Sequence, residues 1–379
     1  MQIITQYRIW HVKVPFKSTM RSSRGAADYG EKVILELITD AGLSGLGEAS
    51  VIFPSRSGEY GPTIFTALRE LFAPQLIGRN PLHLARIMDS LERLTSEEHA
   101  FLATKCAIDI ALHDLKARIL GISVADLLGG ASRTTLALSR SISAMPDDQI
   151  VPVAQQLAEQ GYRLLTIKGT TDWRGNIVTF QKLRAALPDN VQIEIDPNQA
   201  WKPKEAIAVD QALTPLGLEC IEQPCAWWDL DGMKQVTDRA NSAIAADESV
   251  LSPADVVRVA GLRAADIITI KIAKSGGLRN ASTMVECATH AGLSCNMGSK
   301  HPMGVGAAAI LHFAAAVPAV GEFLGYGSAL ERFVGDVIQE EIHVASGCAH
   351  LPAGLGLGVS LDMDRLKHFS LQHYDSDRS

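Results

Sequence analysis

Cysteine is scarce in this 379-residue chain, and none of its six cysteines forms a CxxC pair. The six are isolated from one another along the sequence and are Cys106, Cys220, Cys225, Cys287, Cys295 and Cys348. Most lie in apolar surroundings. The pattern therefore favours reduced, buried thiols in a cytoplasmic protein.

The chain also has no long hydrophobic run and no excess of basic residues. Its apolar stretches are too short and too interrupted to span a bilayer. The N-terminal "MQIITQYRIWHVKVPF" alternates like a strand and lacks the cationic start and apolar block of a signal peptide. The net charge is −7, with Lys and Arg scattered along the sequence. We therefore expect a globular protein that binds neither membranes nor nucleic acid.

Residues 1–130 predict a small α+β domain. Two strand-like segments, "QIITQYRIWHVKV" and "EKVILELITDAGLSGLGEAS", flank "PFKSTMRSSRGAADYG". The flanked segment reads as a polar loop, too long for a tight hairpin. From about residue 60 the apolar spacing becomes helical, most clearly in "HAFLATKCAIDIALHDLKARILG", which ends at Gly121.

Residues 131–330 alternate short apolar strands with longer helical stretches. Eight strand cores are recognisable: "LALSRSIS", "RLLTIKG", "VQIEIDPN", "LECIEQP", "AIAADES", "DIITIKIAK", "LSCNMGS" and "AVGEFLG". Eight parallel strands with crossover helices predict an α/β fold of the TIM-barrel type. Residues 331–379 contain one more strand and a glycine-rich loop, and we expect this segment to return to the first domain and complete it.

Polar residues end most of the predicted barrel strands: Lys168, Asp196, Glu222, Asp247, Lys271, Ser299 and Glu322. The first five follow one another at intervals of 24 to 28 residues, each the length of one strand–helix unit. A barrel of this type carries its active site at the C-terminal ends of its strands. One residue from each of five successive strands should therefore reach the same rim.

Three of these residues, Asp196, Glu222 and Asp247, are acids. Converging carboxylates repel one another unless a cation neutralises them. Because the ligands would all be oxygen atoms, Mg²⁺ is the first expectation and Mn²⁺ the second. The alternative for a single acid is a helix N-cap directly after a strand, which Asp196 and Asp247 could each be.

Lys168 precedes the three acids and Lys271 follows them, so the two should face each other across the site. A lysine near other cations is shifted toward the neutral amine and becomes a usable base. Such a pair could take the proton α to a carboxylate from one side and return it on the other. The alternative for each lysine is an anchor for an anion, or a partner for one of the acids.

The motifs "AIDIALHDLKARILG", "DPNQAW", "IEQP", "ADES", "KIAKSGG" and "GLGLGV" resemble the enolase superfamily. The subgroup they resemble is that of the muconate-lactonizing enzymes in the mandelate racemase/muconate lactonizing enzyme family. The resemblance implies metal ligation by Asp196, Glu222 and Asp247, acid/base catalysis by Lys168 and Lys271, and accessory roles for Asn198 and Glu248. It also implies a capping domain, a small carboxylate substrate and a homo-oligomer.

One position departs from this pattern. The subgroup usually has Lys-x-Lys at the second strand, whereas this chain has Thr166 in place of the first lysine. The chain is similar in this respect to members that act on proline derivatives. The resemblance therefore implies racemisation, epimerisation or dehydration of a small amino-acid-like acid, such as cis-3-hydroxyproline or a betaine. Muconate-type cycloisomerisation, o-succinylbenzoate synthesis and a non-catalytic carboxylate-binding barrel remain alternatives.

The resemblance further implies that two capping-domain segments, near residues 16–30 and 51–62, select the substrate. Their candidate contact residues are Arg21, Arg24, Tyr29, Phe53, Arg56 and Tyr60, and the alternative for each is a solvated loop. The barrel adds Trp227, which could hold a cationic amine, and Ser299, His301 and Glu322. Dipeptide epimerases usually show Asp-x-Asp at the eighth strand, and "GEFLGYG" lacks it.

Overall fold

A computed structural model describes residues 2–23, 25–52, 54, 58–95, 99–325 and 329–377. The strands are β1 Ile4–Ser22, β2 Gly25–Thr39, β3 Ser44–Val51, β4 Thr135–Ala137, β5 Ser139–Ile142, β6 Leu164–Lys168, β7 Gln192–Asp196, β8 Leu218–Glu222, β9 Ala243–Ala246, β10 Ile267–Ile270, β11 Ser294–Met297, β12 Val320–Leu324, β13 Val344–Ala345, β14 Cys348–His350 and β15 Ser370–Asp375.

The α-helices are α1 Gly61–Ala67, α2 Leu84–Glu92, α3 Leu102–Leu120, α4 Val124–Leu127, α5 Asp147–Glu159, α6 Trp173–Ala186, α7 Pro203–Leu213, α8 Leu230–Thr237, α9 Pro253–Leu262, α10 Ile272–Ser275, α11 Leu278–His290, α12 Gly304–Ala316, α13 Ala329–Arg332 and α14 Met363–Phe369. Short π and 3-10 segments occupy Leu68–Phe72, Ala73–Leu76, Pro81–His83 and Thr214–Leu216. As expected, α3 ends at Gly121, which adopts φ 72°. In the described part of the chain, no helix is long and apolar enough to cross a membrane.

The first domain is built on an antiparallel sheet in the order β15-β1-β2-β3. Its strands alternate between two cores, because successive side chains of a strand point to opposite faces. Ile9 and Leu35 pack against the domain's own helices, whereas Trp10 and Ile34 belong to the same hydrophobic core as the barrel. The inner face of this cap sheet is therefore continuous with the barrel interior.

The segment predicted as a loop near residues 16–30 is mostly strand, so that prediction was wrong. β1 continues to Ser22 and β2 begins at Gly25, with the pairing register shifted between Pro15 and Met20. The polar composition suggested a loop, but most of these side chains point to solvent while the backbone pairs in a projecting hairpin.

The barrel has eight parallel strands in the order β12-β11-β10-β9-β8-β7-β6-β5, and a bridge between Leu138 and Leu324 brings its first and last strands together. The predicted eight-stranded barrel is thereby confirmed. One detail differs, because "LALSRSIS" forms two strands: β4 pairs with β14 outside the barrel, whereas β5 enters it.

The C-terminal segment contacts both parts of the molecule. β13 and β14 form a small sheet with β4, next to the barrel. β15 then pairs with β1, where Asp375 lies opposite Arg8 and accepts a hydrogen bond from Gln6 Nε2 at 2.7 Å. The domain boundaries near residues 130 and 330 remain a prediction.

Candidate active site

Five neighbouring barrel strands bring the predicted catalytic residues to one rim. Lys168, Asp196 and Glu222 are the last residues of β6, β7 and β8, while Asp247 and Lys271 directly follow β9 and β10. The strands run parallel and are paired in this order, with Lys168 opposite Asp196 in the register. Since the C-terminal ends of parallel strands lie at the same edge, the five side chains share one site.

The two lysines contact the acids directly. Lys168 Nζ donates a hydrogen bond to Asp196 Oδ2, and Lys271 Nζ donates one to Asp247 Oδ2. Lys271 Nζ also lies 3.5 Å from Glu222 Oε1. Asp196 and Asp247 are almost completely buried. The rim is therefore a compact cluster in which three acids face two lysines. Burial alone would lower the pKa of Lys168 and Lys271, but the charges of the nearby carboxylates outweigh it and raise both pKa values, contrary to the shift toward the neutral amine expected from the sequence.

Burial and neighbouring charges shift the pKa values of the acids in opposite directions. Burial raises the pKa of Asp196 to about 7, and the charges of Glu222 and Glu248 add to the effect while Lys168 opposes it. Burial also acts on Asp247, but the ammonium groups of Lys271 and Lys274, followed by Lys300, outweigh it and hold the pKa of that carboxyl well below its usual range. Positive charge around Asp247 thus keeps it ionised.

The three acids suit a hard divalent cation, because all their donor atoms are carboxylate oxygens. Glu222 Oε1 is buried and accepts no hydrogen bond, and its charged neighbour is Lys271 Nζ at 3.5 Å. In the arrangement shown, no group of three His, Cys, Asp or Glu side chains in the described ranges is close enough together to hold a metal. The Lys271 ammonium, which contacts both Glu222 and Asp247, stands between these two acids.

Asn198 and Glu248, the two residues predicted to have accessory roles, contact each other. Its backbone N–H donates to Asp196 Oδ1 at 2.8 Å, and its Nδ2 donates to Asp196 Oδ2 at 3.0 Å and to Glu248 Oε1 at 3.3 Å. The residue holds these contacts in the left-handed region, at φ 46°. Burial raises the pKa of Glu248. Asn198 therefore orients Asp196 and joins it to Glu248, which lies two strands further around the rim.

Gln223 was missed by the sequence reasoning, although it lies in the "IEQP" motif. It is completely buried, adopts φ 41°, and accepts hydrogen bonds on Oε1 from the backbone N–H groups of Asp247 at 2.9 Å and Ser249 at 3.0 Å. Its Nε2 donates to the Cys225 carbonyl and to Ser249 Oγ. Gln223 therefore sets the position of Asp247 from the neighbouring strand.

Lys274 was also missed. Its Nζ donates to the carbonyl of Asp247 and, at 2.7 Å, to Asp247 Oδ1. Its position three residues after Lys271 in "KIAKSGG" was the available signal, because Lys271 is the N-cap residue of the short α10 helix and Lys274 lies about one turn further along. A second ammonium is thus fixed on the same acid as Lys271.

Thr166 lies in the barrel interior, one inward-facing position below Lys168. Its hydroxyl donates to Glu194 Oε2 at 3.3 Å, and burial, followed by the charge of Glu222, raises the pKa of Glu194 to about 8. Thr166 does not line the cavity described next. Thr166, which replaces the first lysine of Lys-x-Lys, is therefore paired with an acid, Glu194, on the neighbouring strand β7.

A cavity of about 680 Å³ lies between the barrel rim and the cap. Lys168, Lys271, Asp247, Glu248 and Asn198 line it on the barrel side. Residues of the cap complete the wall: Met20, Arg21, Val51, Ile52 and Pro54. This volume is within the range expected for a small-molecule site. Both lysines, Asp247 and Glu248 thus face one cavity.

The predicted substrate residues divide into three groups. Arg21, Trp227, Ser299 and His301 line the cavity. Tyr29 and Tyr60 are more than 40% exposed and do not line it, since Tyr29 lies on the projecting hairpin under Lys13 Nζ and Tyr60 precedes α1. Arg24, Phe53 and Arg56 lie outside the described residues.

Glu322 is not at the rim, contrary to the sequence-based placement at the end of its strand. β12 continues two residues further, to Leu324, and Glu322 is exposed. Its charge acts on Arg133, which donates to the carbonyl of Val320 at the start of the same strand. Conversely, His99, Lys300 and Arg332 line the cavity but were not predicted, because they lie in loops or short segments with no regular spacing.

The sequence matches two family models. Residues 149–365 match the model described as enolase C-terminal domain-like, and residues 3–129 match the N-terminal domain of the mandelate racemase/muconate lactonizing enzyme model. The N-terminal model therefore covers the cap, and the C-terminal model begins in the barrel and extends past it.

Similar proteins include enzymes with two kinds of reaction. Muconate cycloisomerase 1 of Rhodococcus opacus is 33% identical over 88% of this chain and 90% of its own length. The L-Ala-D/L-Glu epimerase of Bacillus subtilis is 31% identical over 91% of this chain and 92% of its own length. A crystal structure of the Enterococcus faecalis dipeptide epimerase, complexed with Mg and the dipeptide L-Leu-L-Tyr, has a TM-score of 0.87 and 27% identity and covers 94% of this chain and 99% of that one.

Proposed function

Because the chain belongs to the mandelate racemase/muconate lactonizing enzyme family of the enolase superfamily, whose similar members are isomerases, we propose that it racemises or epimerises a small carboxylic acid. The reaction would begin by removing the proton on the carbon next to the carboxylate. The observation that carries this proposal is the placement of Lys168 and Lys271 at the ends of β6 and β10, with three acid-bearing positions between them and a common cavity in front.

Asp196, Glu222 and Asp247 would hold a divalent cation, Mg²⁺ or less favourably Mn²⁺, which when bound would stabilise the negative charge that develops on the substrate carboxylate. The Enterococcus faecalis dipeptide epimerase was crystallised with Mg, which supports this assignment for the family fold. In this chain the support comes from the oxygen-only donor set and from the buried Glu222 Oε1, which accepts no hydrogen bond.

The two lysines would exchange roles between the two directions of the reaction. One Nζ must be neutral to accept the α-proton, while the other must be an ammonium to donate a proton to the opposite face. Three strands, which carry the acids, lie between the two lysine-bearing strands, so a substrate seated in the cavity would meet one lysine on each face. Inversion at the α-carbon needs this arrangement, whereas retention would need one lysine alone.

Gln223 and Asn198 would keep this constellation rigid. Gln223 holds the backbone at Asp247, and Asn198 holds the carboxylate of Asp196. Pre-organised charges of this kind supply much of an enzyme's rate enhancement, because they do not reorganise during the reaction. The cap covers the same cavity and limits the access of water.

Cycloisomerisation of a muconate-type diacid is the second candidate, and the 33% identity to muconate cycloisomerase 1 favours it. The similar proteins named above act on muconate or on dipeptides, so they do not support a proline derivative as the substrate. Dehydration would share the same first proton transfer and would follow only if the substrate carried a leaving group on the β-carbon.

Exchange of the α-proton in D₂O tests the proposal. The purified protein with Mg²⁺ is incubated with L-dipeptides, N-acyl amino acids, proline betaines and the lactones of muconate-type diacids, and loss of the α-proton signal is followed by NMR. We expect exchange with at least one class, and we expect Lys168→Ala and Lys271→Ala each to abolish exchange from a different enantiomer.

The folded state of each lysine variant is checked by circular dichroism, so that lost exchange is not confused with lost structure. Lys182→Ala is the matched control, because Lys182 is an exposed lysine on α6 whose Nζ contacts Asp147. Full turnover by the Lys168→Ala variant would rule out the two-base scheme. An absence of exchange with every acid would refute the proposed function.

A further inference from the structure

We propose that Lys32 of the cap sheet is a positioning residue for the cavity, whose ammonium group holds the wall segment Val51–Ile52 and the ring of Phe333 in place. Lys32 is not among the described residues that line the cavity, whereas Val51 and Ile52 are. It would therefore act on substrate binding through the residues that it contacts. This inference deepens the proposed function, and its kinetic test rests on that function.

Lys32 lies on the inner face of the cap sheet, toward the barrel. In the strand register it is opposite Val12 of β1 and Ser50 of β3. Val12 and Ile34, its apolar neighbours on this face, belong to the hydrophobic core that the cap shares with the barrel. The Lys32 side chain is completely buried. The fold thus places an ammonium group among apolar side chains where the two domains meet.

The Lys32 ammonium contacts the end of β3 and the C-terminal segment. Its Nζ donates a hydrogen bond to the Val51 carbonyl at 3.1 Å and lies 5.7 Å from the centroid of the Phe333 ring, within the range of a cation–π contact. Gly30 leaves the space for this contact, because a Cβ atom there would lie 2.8 Å from Phe333 Cε1 and 3.3 Å from Lys32 Nζ. Lys32, Gly30, Val51 and Phe333 are therefore packed against one another, and we call them the Lys32 cluster.

Lys32 differs in its partner from other buried lysines of the chain. Lys105, which is equally buried, is paired with Glu92, and Lys274 is paired with Asp247. Among the described residues, Lys32 has no carboxylate within ion-pair distance, and its hydrogen-bond acceptor is a neutral carbonyl. Because a buried charge without a counter-ion reduces the free energy of unfolding, the presence of this lysine points to a role other than stability.

Two paths of contact lead from the Lys32 cluster to the cavity wall. Val51 is itself part of the wall. Phe333 follows Arg332, another wall residue, and stacks on Phe16 of β1 with ring centroids 4.6 Å apart. Phe16 in turn lies edge-on to the ring of His301, which also lines the cavity, at a centroid distance of 6.4 Å. The cluster therefore supports wall residues from the cap, the barrel and the C-terminal segment.

The charge of this lysine depends on pH near the neutral range. Burial lowers the pKa of Lys32 to about 8, although the charges of Glu48 and then Glu31 oppose the shift. On the barrel side, burial, then the charge of Arg332, and then that of Lys32 hold the pKa of His301 well below its usual range, so His301 stays neutral. An ammonium group donates a stronger hydrogen bond than a neutral amine. The carbonyl of the wall segment should therefore be held more firmly below pH 8 than above it.

Hydrogen exchange in the absence of substrate tests the positioning. In Lys32→Met the ammonium group is replaced by an apolar group on a side chain of similar length. At pH 7 we expect the amide hydrogens of Val51–Ile52 to exchange about 10- to 100-fold faster than in the wild type, because a hydrogen bond from a charged donor is lost. The urea midpoint should be unchanged or higher, because a buried charge is removed.

Lys13→Met is the matched control for this substitution. Lys13 lies on the outer face of the same sheet, where its Nζ is 3.4 Å from the centroid of the exposed Tyr29 ring. The control should change neither the exchange of the wall segment nor the urea midpoint.

The pH dependence separates the charge of the side chain from its shape. After correction for the intrinsic rate of amide exchange, protection of Val51–Ile52 in the wild type should fall as the pH rises through the pKa of Lys32, from about 7 to about 9.5. Lys32→Met should show no such fall. Lys32→Arg should keep part of the protection at the higher pH, because a guanidinium group remains charged there. A wild-type profile parallel to that of Lys32→Met would overturn the role of the charge.

Kinetics connect the Lys32 cluster with turnover. For an acid whose α-proton exchanges, Lys32→Met should raise KM by about 10-fold and change kcat by less than about threefold, because Lys32 contacts the wall and not the reacting atoms. Faster hydrogen exchange confined to Val51–Ile52 supports the positioning role. Exchange equal to that of the wild type, an unchanged KM, or faster exchange throughout the cap sheet with a lower urea midpoint would overturn it. If no acid undergoes α-proton exchange, the proposed function fails, and the hydrogen-exchange results still decide the role of Lys32.

Discussion

Glu48 provides a decisive test of how the cap is joined to the barrel. This buried residue of β3 accepts hydrogen bonds on Oε1 from Ser50 Oγ at 2.5 Å and from the Met303 N–H at 2.8 Å. Its Oε2 accepts the Gly306 N–H at 2.7 Å. α12 has no side-chain cap at Met303 and no acid in its first turn, so a carboxylate from the other domain serves the start of this helix.

The substitution Glu48→Ala removes both acceptor oxygens and with them all three hydrogen bonds. It leaves the buried N–H groups of Met303 and Gly306 without this partner, and an unsatisfied buried donor costs about 1–3 kcal/mol. Summing two donors and the lost charge at the helix start, we expect the free energy of unfolding to fall by about 3–5 kcal/mol. Glu48→Gln keeps one acceptor oxygen and the side-chain volume, so its loss should be smaller, about 1–2 kcal/mol.

Urea unfolding followed by far-UV circular dichroism measures the free energy of unfolding of each variant. Thermal unfolding without added ligand gives a second measurement. Glu70→Ala is the control, because Glu70 is an exposed acid of the cap paired with Arg69, and such a pair contributes about 0–1 kcal/mol. A loss below about 1 kcal/mol in Glu48→Ala, close to the control, would show that water replaces the carboxylate and would refute the reasoning.

Three further substitutions test other parts of the structure. Gln223→Leu leaves two buried N–H groups, those of Asp247 and Ser249, without their acceptor. We therefore expect the free energy of unfolding measured in urea to fall by about 2–4 kcal/mol, and an unchanged midpoint would contradict the contact. In Gly47→Ala, the new methyl group would lie 1.8 Å from the Ala107 carbonyl oxygen. We therefore expect the free energy of unfolding in the same assay to fall by more than about 2 kcal/mol, and an unchanged value would disprove the close packing. Burial lowers the pKa of His312 from 6.5 to about 4, so the unfolded chain binds the extra proton and the free energy of unfolding falls as the pH drops from 6.5 toward 4. Other buried groups also contribute, so the slope against pH should be steeper in the wild type than in His312→Gln, and equal slopes would exclude a contribution from His312.

The positions of the rim residues were predictable because they depend on local pattern. Each apolar run has a length that sets where its strand ends, and a polar residue at that point must emerge at the rim of a parallel barrel. Lys168, Asp196, Glu222, Asp247 and Lys271 follow this rule in five successive units. The rule fails at Glu322, because β12 continues for two more residues and Glu322 therefore lies within the strand and not at its end.

Side chains that come from loops could not be placed in this way. His99 and Lys300 reach the cavity from segments whose path depends on the packing of the cap on the barrel. The hairpin near residues 16–30 was misread for a similar reason, because its polar side chains are compatible with strand pairing once they point to solvent. Composition alone does not distinguish an exposed hairpin from a loop.

By itself, then, the sequence determined the barrel, the cap and the identity of five residues at the rim, because strand length and side-chain periodicity are local properties of the chain. Only the tertiary structure decided that Glu48 caps α12, that Gln223 and Lys274 hold Asp247, and that Arg332 faces the cavity beside His301. The contacts of Glu48 with α12, and those of Gln223 and Lys274 with Asp247, join residues 24 to 258 positions apart in the chain. Such pairs meet only when separate elements pack against each other.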